Sequence, residues 1–128
     1  MRILSIVLFL LSFIFTFAQP VIKFEDAKHN YGFVSEGEQL VHEFKFQNTG
    51  NQPLVITETK VACSCTKVEF PKQPVKAGES GIIKVTFDTN NKYDRQDREV
   101  EIYSNATISP AKVRFKCIVK KKKAVEKK

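Results

Sequence analysis

The sequence predicts an all-β protein, an Ig-like antiparallel β-sandwich of about seven strands. Three observations predict this fold. Apolar and polar residues alternate in several short runs, turn-forming residues separate these runs at intervals of about 8–12 residues, and no stretch has the period of a long amphipathic helix. The chain has no Trp and lacks the cysteine spacing of antibody domains, so the prediction is an Ig-like sandwich and not a true immunoglobulin domain.

Residues 1–18 are predicted to be a secretory signal peptide. Arg2 precedes the apolar run Ile3–Phe17, and small residues before the cut fit cleavage after Ala18. A transmembrane anchor would need about 20 apolar residues, and nothing further along extends the run. We therefore expect an exported protein, periplasmic, cell-surface or secreted, whose mature chain begins at Gln19 and has no transmembrane span.

The strands follow in order from period-two alternation between turn signals. They are predicted in the runs 21–24, 33–34, 40–48, 54–57, 66–70, 82–87, 99–103 and 113–119. Asn30–Gly32 is predicted to be a turn or bulge, and in the turn at Asn48–Asn51 Gly50 is free to adopt positive φ. Thr89–Asp97 is polar and has no apolar period, so it is predicted to be a long exposed hairpin loop.

Two histidines have different predicted surroundings. His42 shares one face of its strand with Leu40, Phe44 and Phe46, so it is expected to be a hydrogen-bonded core residue. His29 precedes a turn and is expected to be exposed. Neither residue is expected to act as a metal ligand or a catalytic base.

The net charge of +7 is concentrated at the C-terminus. Residues 120–128 contain six lysines and one glutamate, so they supply five of the seven charges. The domain of residues 19–119 is therefore nearly neutral, with its charges interspersed, and nucleic-acid binding is not expected. Residues 120–128 are predicted to form a basic, disordered tail, whose Lys121, Lys122 and Lys123 could make weak contact with an anionic surface.

The segment Val61–Thr66 places Cys63 and Cys65 one residue apart. In an extended strand their Cα atoms would be about 6.6 Å apart, near the upper limit for a disulfide, so a bond between them needs a kink or bulge. Three states are open: a Cys63–Cys65 bond, a cross-core bond from one of them to Cys117, or free thiols. The odd number of cysteines leaves at least one thiol unpaired within the chain.

Two functional hypotheses follow, and neither is an enzyme with a cofactor. The chain has no phosphate-binding loop, nucleophile elbow or metalloprotease motif. The first hypothesis is a non-enzymatic interaction module with an unidentified protein or cell-envelope partner, contacted through Tyr93, Arg95 and the lysine tail. The alternative is a thiol-redox or soft-metal function, because two thiolates such as Cys63 and Cys65 can bind Cu(I).

Six linked motifs resemble one protein family. They are His29-Asn30-Tyr31-Gly32, His42 to Gly50, Cys63-Ser64-Cys65-Thr66, Gly78-Glu79-Ser80-Gly81, Phe87-Asp88 and Ser104-Asn105. In nearly the whole mature chain they resemble the secreted bacterial domain of unknown function fifteen seventy-three, which is similar to Hydin-like and major-sperm-protein-like Ig folds. The resemblance implies an exported β-sandwich without an established activity. Ser64 and Cys117 stand where that family commonly has Gly, so the resemblance gives Cys117 no role.

Overall fold

The computed structural model describes residues 17–123, and this part of the chain contains eight β-strands. They are β1 (Ile22–Phe24), β2 (Lys28–Ser35), β3 (Gln39–Asn48), β4 (Ile56–Val61), β5 (Thr66–Glu69), β6 (Ser80–Asp88), β7 (Asp94–Ser104) and β8 (Ala111–Lys120). Sheet A has the order β1-β3-β6-β5, and sheet B has the order β2-β8-β7-β4. The predicted all-β sandwich of about seven strands is confirmed, and each of the eight strands overlaps one of the predicted runs.

The pairings between the described strands are antiparallel, except that β2 runs parallel to β8. Alternation of side chains predicts a strand but carries no information on its direction, so the sequence could not show this pairing. The β2–β8 register shifts between Asn30 and Phe33, which confirms the bulge predicted around Gly32. Gly32 has a φ of 71°, a conformation that suits glycine.

The core lies between the two sheets and uses alternate residues of the long strands, as predicted. The buried residues include Leu40, Phe44 and Phe46 of β3, Ile83, Val85 and Phe87 of β6, and Val113, Phe115, Cys117 and Val119 of β8. The ring centroids of Phe87 and Phe115 lie 5.2 Å apart, so an aromatic contact joins the two sheets.

Asn48 is fully buried and joins three segments at one end of the sandwich. Its Oδ1 accepts hydrogen bonds from the backbone N–H groups of Val21 (3.2 Å) and Gly50 (3.1 Å). Its Nδ2 donates to the carbonyl oxygens of Gln52 (2.7 Å) and Val75 (3.0 Å). The sequence identified Asn48 as part of a turn, but the structure makes it a buried polar anchor.

Six of the seven connections between the described strands divide between two ends of the sandwich. One end, which we call the cysteine-turn end, carries the β2–β3 turn, the β4–β5 turn with Cys63 and Cys65, the β6–β7 loop and residues 121–123. Strand registers place these segments together, because Ser35 pairs with Lys120 and Gln39 pairs with Asp88. The opposite end carries the β3–β4, β5–β6 and β7–β8 loops.

The predicted loop Thr89–Asp97 is wrong in extent. β7 begins at Asp94, and its first residues pair with β8 from Val119 onward, so a polar segment becomes extended by bonding to a neighbouring strand. Thr89 is fully buried, and its Oγ1 donates to the carbonyl oxygens of Ser35 (3.2 Å) and Glu38 (2.6 Å). The β6–β7 loop is therefore short and fastened to the β2–β3 turn.

The predicted terminal segments lie partly outside the described residues. Residues 1–16 of the expected signal peptide and residues 124–128 of the expected tail are not among those that the structure describes. β8 extends through Lys120, one residue beyond the expected end of the domain. Between residues 17 and 123, no helix combines the length and the apolar character needed to cross a membrane.

Candidate functional site at the cysteine-turn end

The β4–β5 connection turns sharply at residues 62–65, where β4 has ended and β5 has not begun. Cys63 and Cys65 form a disulfide across this turn, with their Cα atoms 5.2 Å apart. The N–H of Thr66 donates to the carbonyl of Cys63 (3.3 Å), and the N–H of Asp88 donates to the carbonyl of Cys65 (2.9 Å). Of the three states open from the sequence, the structure has the local bond, with the kink that such a bond requires.

Cys117 is a free thiol, and its residue is only 1% exposed. Burial raises the pKa of the thiol above its usual value, and the guanidinium of Arg98 acts in the opposite direction. Burial, followed by the effect of Cys117, also raises the pKa of Tyr31 to about 12. A buried, protonated thiol is a poor nucleophile, so Cys117 is a core residue and not a reactive one.

This thiol chemistry leaves the copper-binding alternative without a pair of thiolates, because Cys63 and Cys65 are bonded to each other. Within residues 17–123, no group of three or more His, Cys, Asp or Glu side chains is placed to hold a metal ion. The disulfide therefore staples the end of β4 to the start of β5.

Removing this staple is expected to have a small effect on stability. The double variant Cys63→Ser and Cys65→Ser should lower the free energy of unfolding by at most about 2 kcal/mol, because the loop that the disulfide closes is very short. Urea denaturation followed by circular dichroism measures the change, and wild-type protein under reducing conditions is the matched control. A loss of more than about 4 kcal/mol would show that the disulfide organises the fold and does not merely staple a turn.

Tyr93 is the exposed aromatic residue of the β6–β7 loop, with 69% of its surface exposed. The side-chain amide of Gln96 donates to its carbonyl oxygen (2.9 Å), which holds the loop against the start of β7. Arg95 is exposed on β7 and lies opposite Ile118 of β8. Both predicted contact residues therefore lie at the cysteine-turn end, although Arg95 lies on a strand and not in a loop.

The described part of the lysine tail leaves β8 at the same end. Lys121, Lys122 and Lys123 are exposed and follow the last strand directly. The N–H of Lys122 donates to a carboxylate oxygen of Glu36 in the β2–β3 turn, at 3.3 Å. The structure thus brings together the cysteine turn, Tyr93, Arg95 and the tail, which are far apart in the sequence.

The outer face of sheet B is divided by its charges. In the half away from the cysteine-turn end, cations are paired with carboxylates. Lys112 lies 3.2 Å from Glu99 and 3.9 Å from Glu101, and the Nε of Arg114 donates to Asp97 at 2.8 Å. These pairs are exposed, so each adds little to stability, but they make this half of the face nearly neutral.

The half near the cysteine-turn end has exposed cations beside exposed apolar residues. We call this set the basic strip, and it consists of Phe33, Arg95, Lys116, Ile118 and Lys120. Phe33 and Arg95 both lie opposite Ile118, one on each side of β8. Phe33 is 68% exposed and Ile118 is 38% exposed, and the Nζ of Lys120 lies 4.7 Å from the centroid of the Phe33 ring. Among the described residues, the three cations of the strip form no ion pair.

A histidine pair at the edge of the sandwich was missed by the sequence analysis. His29 of β2 and His42 of β3 stack at a centroid distance of 3.7 Å, and Tyr31 contacts His29 edge-on. His29 was expected to be exposed but is half-buried, because β2 already begins at Lys28 and the ring stacks on His42 of the other sheet. Burial first, and then His29, lowers the pKa of His42, against opposing effects of Asp26 and Glu43.

The lowered pKa of His42 predicts a loss of stability in mild acid. Below about pH 6.5, the usual value, the unfolded chain binds more protons at this residue than the folded chain does. Its contribution is therefore present above that pH and is lost as the pH falls through the lowered value. The free energy of unfolding, measured between about pH 7 and pH 5, should decrease more in wild type than in His42→Phe. Equal decreases in the two proteins would contradict this assignment.

The family model described as protein of unknown function (DUF1573) matches residues 22–119. This match confirms the resemblance that the six sequence motifs carry. No curated protein sequence matches the chain.

Several solved structures have a similar fold. A protein of unknown function from Porphyromonas gingivalis W83 has a TM-score of 0.69 and 17% identity, covering 82% of this chain and 50% of its own. The ASH/PapD-like domain 7 of human CEP192 has a TM-score of 0.57 and 8% identity, covering 84% and 89%. The C. elegans MSP family member WR4 has a TM-score of 0.50 and 10% identity, covering 78% and 98%.

These similarities show the fold, which is Ig-like in the manner of PapD-like and MSP domains. At such low identities they show nothing more about the chain. The chain also spans only half of the Porphyromonas protein and 32% of the Vibrio cholerae VesB protease, another structure with a similar region.

Proposed function

This chain belongs to the DUF1573 family, and from that premise we propose that it is an exported, non-enzymatic interaction module that contacts its partner through the cysteine-turn end. The partner is a protein or another component of the cell envelope. The fold agrees with this role, because β-sandwiches commonly present binding loops at one end of a rigid scaffold.

The observation that carries the proposal is the convergence of exposed groups at one end. Tyr93, Arg95 and Lys121–Lys123 come from different parts of the chain, and all are exposed there. The segments that present them are fastened: Thr89 bonds to the β2–β3 turn, and Asp88 bonds to Cys65. A fastened surface loses little conformational entropy on binding, which favours its use for contact.

Export is proposed from the N-terminal sequence. An apolar run after Arg2, followed by small residues, is typical of a segment that is removed during secretion. The Cys63–Cys65 disulfide supports the same compartment, because disulfides persist outside the reducing cytosol.

The non-enzymatic role is proposed from the chemistry of the described side chains. The one free thiol is buried, and the carboxylates of Glu99 and Glu101 are paired with Lys112. Such a set offers no activated nucleophile.

Affinity capture from native cells tests the proposal. Tagged wild-type protein is compared with the variant Tyr93→Ser, Arg95→Glu, and with the control Ile108→Ser, which changes an exposed residue at the opposite end. The first variant should lose the partner that wild type retains, whereas the control should keep it. Mass spectrometry of the recovered protein should also show that its chain begins at Gln19. Equal capture by all three proteins would refute the assigned surface, and recovery of the uncleaved chain in the cytosol would refute export.

A further inference from the structure

We propose that the basic strip and the lysine tail together bind the surface of an anionic phospholipid bilayer. This inference rests on the proposed function, because it names the chemistry of the partner that the cysteine-turn end contacts. The bound groups are the phosphates of lipid headgroups, and the exposed apolar residues of the strip enter the interfacial layer beside them.

Among the described residues, no ion pair compensates the positive charge of the basic strip. Lys116 and Lys120 lie on β8, one on each side of Ile118. Arg95 of the neighbouring strand β7 lies opposite Ile118, so the three cations are close together. Asp97 lies opposite Lys116 in register, and its carboxylate is already bonded to Arg114. Cations that lack partners on the protein attract anions from outside it.

The positive charge of the basic strip is continuous with that of the lysine tail. β8 ends at Lys120, and Lys121, Lys122 and Lys123 follow at the same edge, with two further lysines at positions 127 and 128. Each basic residue near an anionic leaflet is attracted to it. In a cluster of four to eight such residues these attractions add, so the total binding free energy is large. Lys116 and Lys120 of β8 and the exposed Lys121, Lys122 and Lys123 therefore form one basic region at this end of sheet B.

The exposed apolar residues Phe33 and Ile118 favour a lipid surface over a soluble polyanion as the partner. Phe33 is 68% exposed on the edge strand β2, beside Ile118 and beneath the ammonium group of Lys120. A soluble polyanion would gain nothing from this apolar pair, whereas a bilayer accepts aromatic and aliphatic groups at its interface while its phosphates bind the surrounding cations.

The chain from Gln19 to Lys128 is suitable for the test, because both sheets lie complete within Ile22–Lys120. Binding to phosphatidylcholine vesicles, with and without phosphatidylglycerol, is measured by flotation. We expect binding only to the vesicles that contain phosphatidylglycerol. The triple variant Arg95→Gln, Lys116→Gln, Lys120→Gln should weaken it about a hundredfold, from about 1 kcal/mol for each cation.

The matched control removes the same charge from the other sheet. Lys23, Lys45 and Lys67 are exposed on sheet A, and their replacement by Gln should change vesicle binding by less than about threefold, since they lie on the far face. Phe33→Ser, which changes no charge, should weaken binding about tenfold.

The lack of Trp in the chain gives a second readout. In Phe33→Trp, the fluorescence should shift to the blue on addition of anionic vesicles. In Ile108→Trp, at the opposite end, it should not.

Four results would overturn the proposal: no binding to anionic vesicles, equal loss in the two triple variants, no shift in Phe33→Trp, or binding of dextran sulfate with no effect of Phe33→Ser. The last would identify a soluble polyanion as the partner. If vesicle binding fails while affinity capture still depends on Tyr93 and Arg95, the lipid inference falls and the proposed function stands. If capture is insensitive to Tyr93 and Arg95, the proposed surface falls first.

Discussion

Replacing Asn48 with alanine is expected to lower the free energy of unfolding by about 3–5 kcal/mol, because its side chain makes four hydrogen bonds in a fully buried position. The variant removes the side-chain partner of two backbone N–H groups and two carbonyl groups, of which the carbonyl of Val75 keeps its bond from the N–H of Leu54. These groups belong to the N-terminal segment, the β3–β4 loop and the β5–β6 loop, so three segments lose one shared anchor.

Urea denaturation measures this loss, and Asn51→Ala is the matched control. Asn51 is exposed in the same loop, and its hydrogen bond to Gln19 uses only its backbone N–H. The control should therefore change stability by less than about 0.5 kcal/mol. A loss below about 1 kcal/mol in Asn48→Ala would mean that water replaces these bonds readily.

Replacing Phe87 with alanine is expected to cost about 3–5 kcal/mol of stability, because it removes a fully buried ring and leaves a cavity. The Phe87 ring contacts Phe115 of the opposite sheet, and the guanidinium carbon of Arg98 lies 5.7 Å from its centroid. Phe87 also pairs with Thr66, the first residue after the cysteine turn. The variant should therefore loosen the cysteine-turn end together with the core.

The same denaturation measurement tests this prediction, with amide hydrogen exchange as a local readout. Exchange should accelerate most in β5 and in the β6–β7 loop. Ile82→Ala, in the same strand but partly exposed on the outer face, should cost about 1 kcal/mol or less. Equal costs for the two variants would show that the inter-sheet aromatic contact does not dominate packing here.

Much of the fold could be predicted because strand alternation is a local property. The buried faces of β3, β6 and β8 follow from residues two apart, and the structure confirms each of them. Strand geometry alone predicted that a Cys63–Cys65 disulfide requires a kink, because the distance between alternate Cα atoms of an extended strand is fixed. The structure has both the bond and the kink.

The remaining features depend on contacts between distant segments, which local patterns do not contain. Asp94–Asp97 is polar and becomes a strand only because β8 offers hydrogen-bonding partners. His29 stacks on His42 because the two sheets bring β2 and β3 together.

The basic strip shows the same limitation. Phe33 and Ile118 are far apart in sequence and meet through the parallel β2–β8 pairing, which side-chain alternation could not predict. The sequence did identify Tyr93, Arg95 and the tail lysines as contact residues, on the grounds of exposure and charge. Their convergence on one end, however, required the strand registers.

Site-specific photo-cross-linking in native cells tests the central claim, that this protein acts through its cysteine-turn end, most directly. A photoreactive residue replaces Tyr93 in one protein and Ile108 in another; these positions are 69% and 75% exposed at opposite ends of the sandwich. We predict discrete adducts from position 93 and none above background from position 108. Equal adducts from both positions, or adducts from position 108 alone, would contradict the claim.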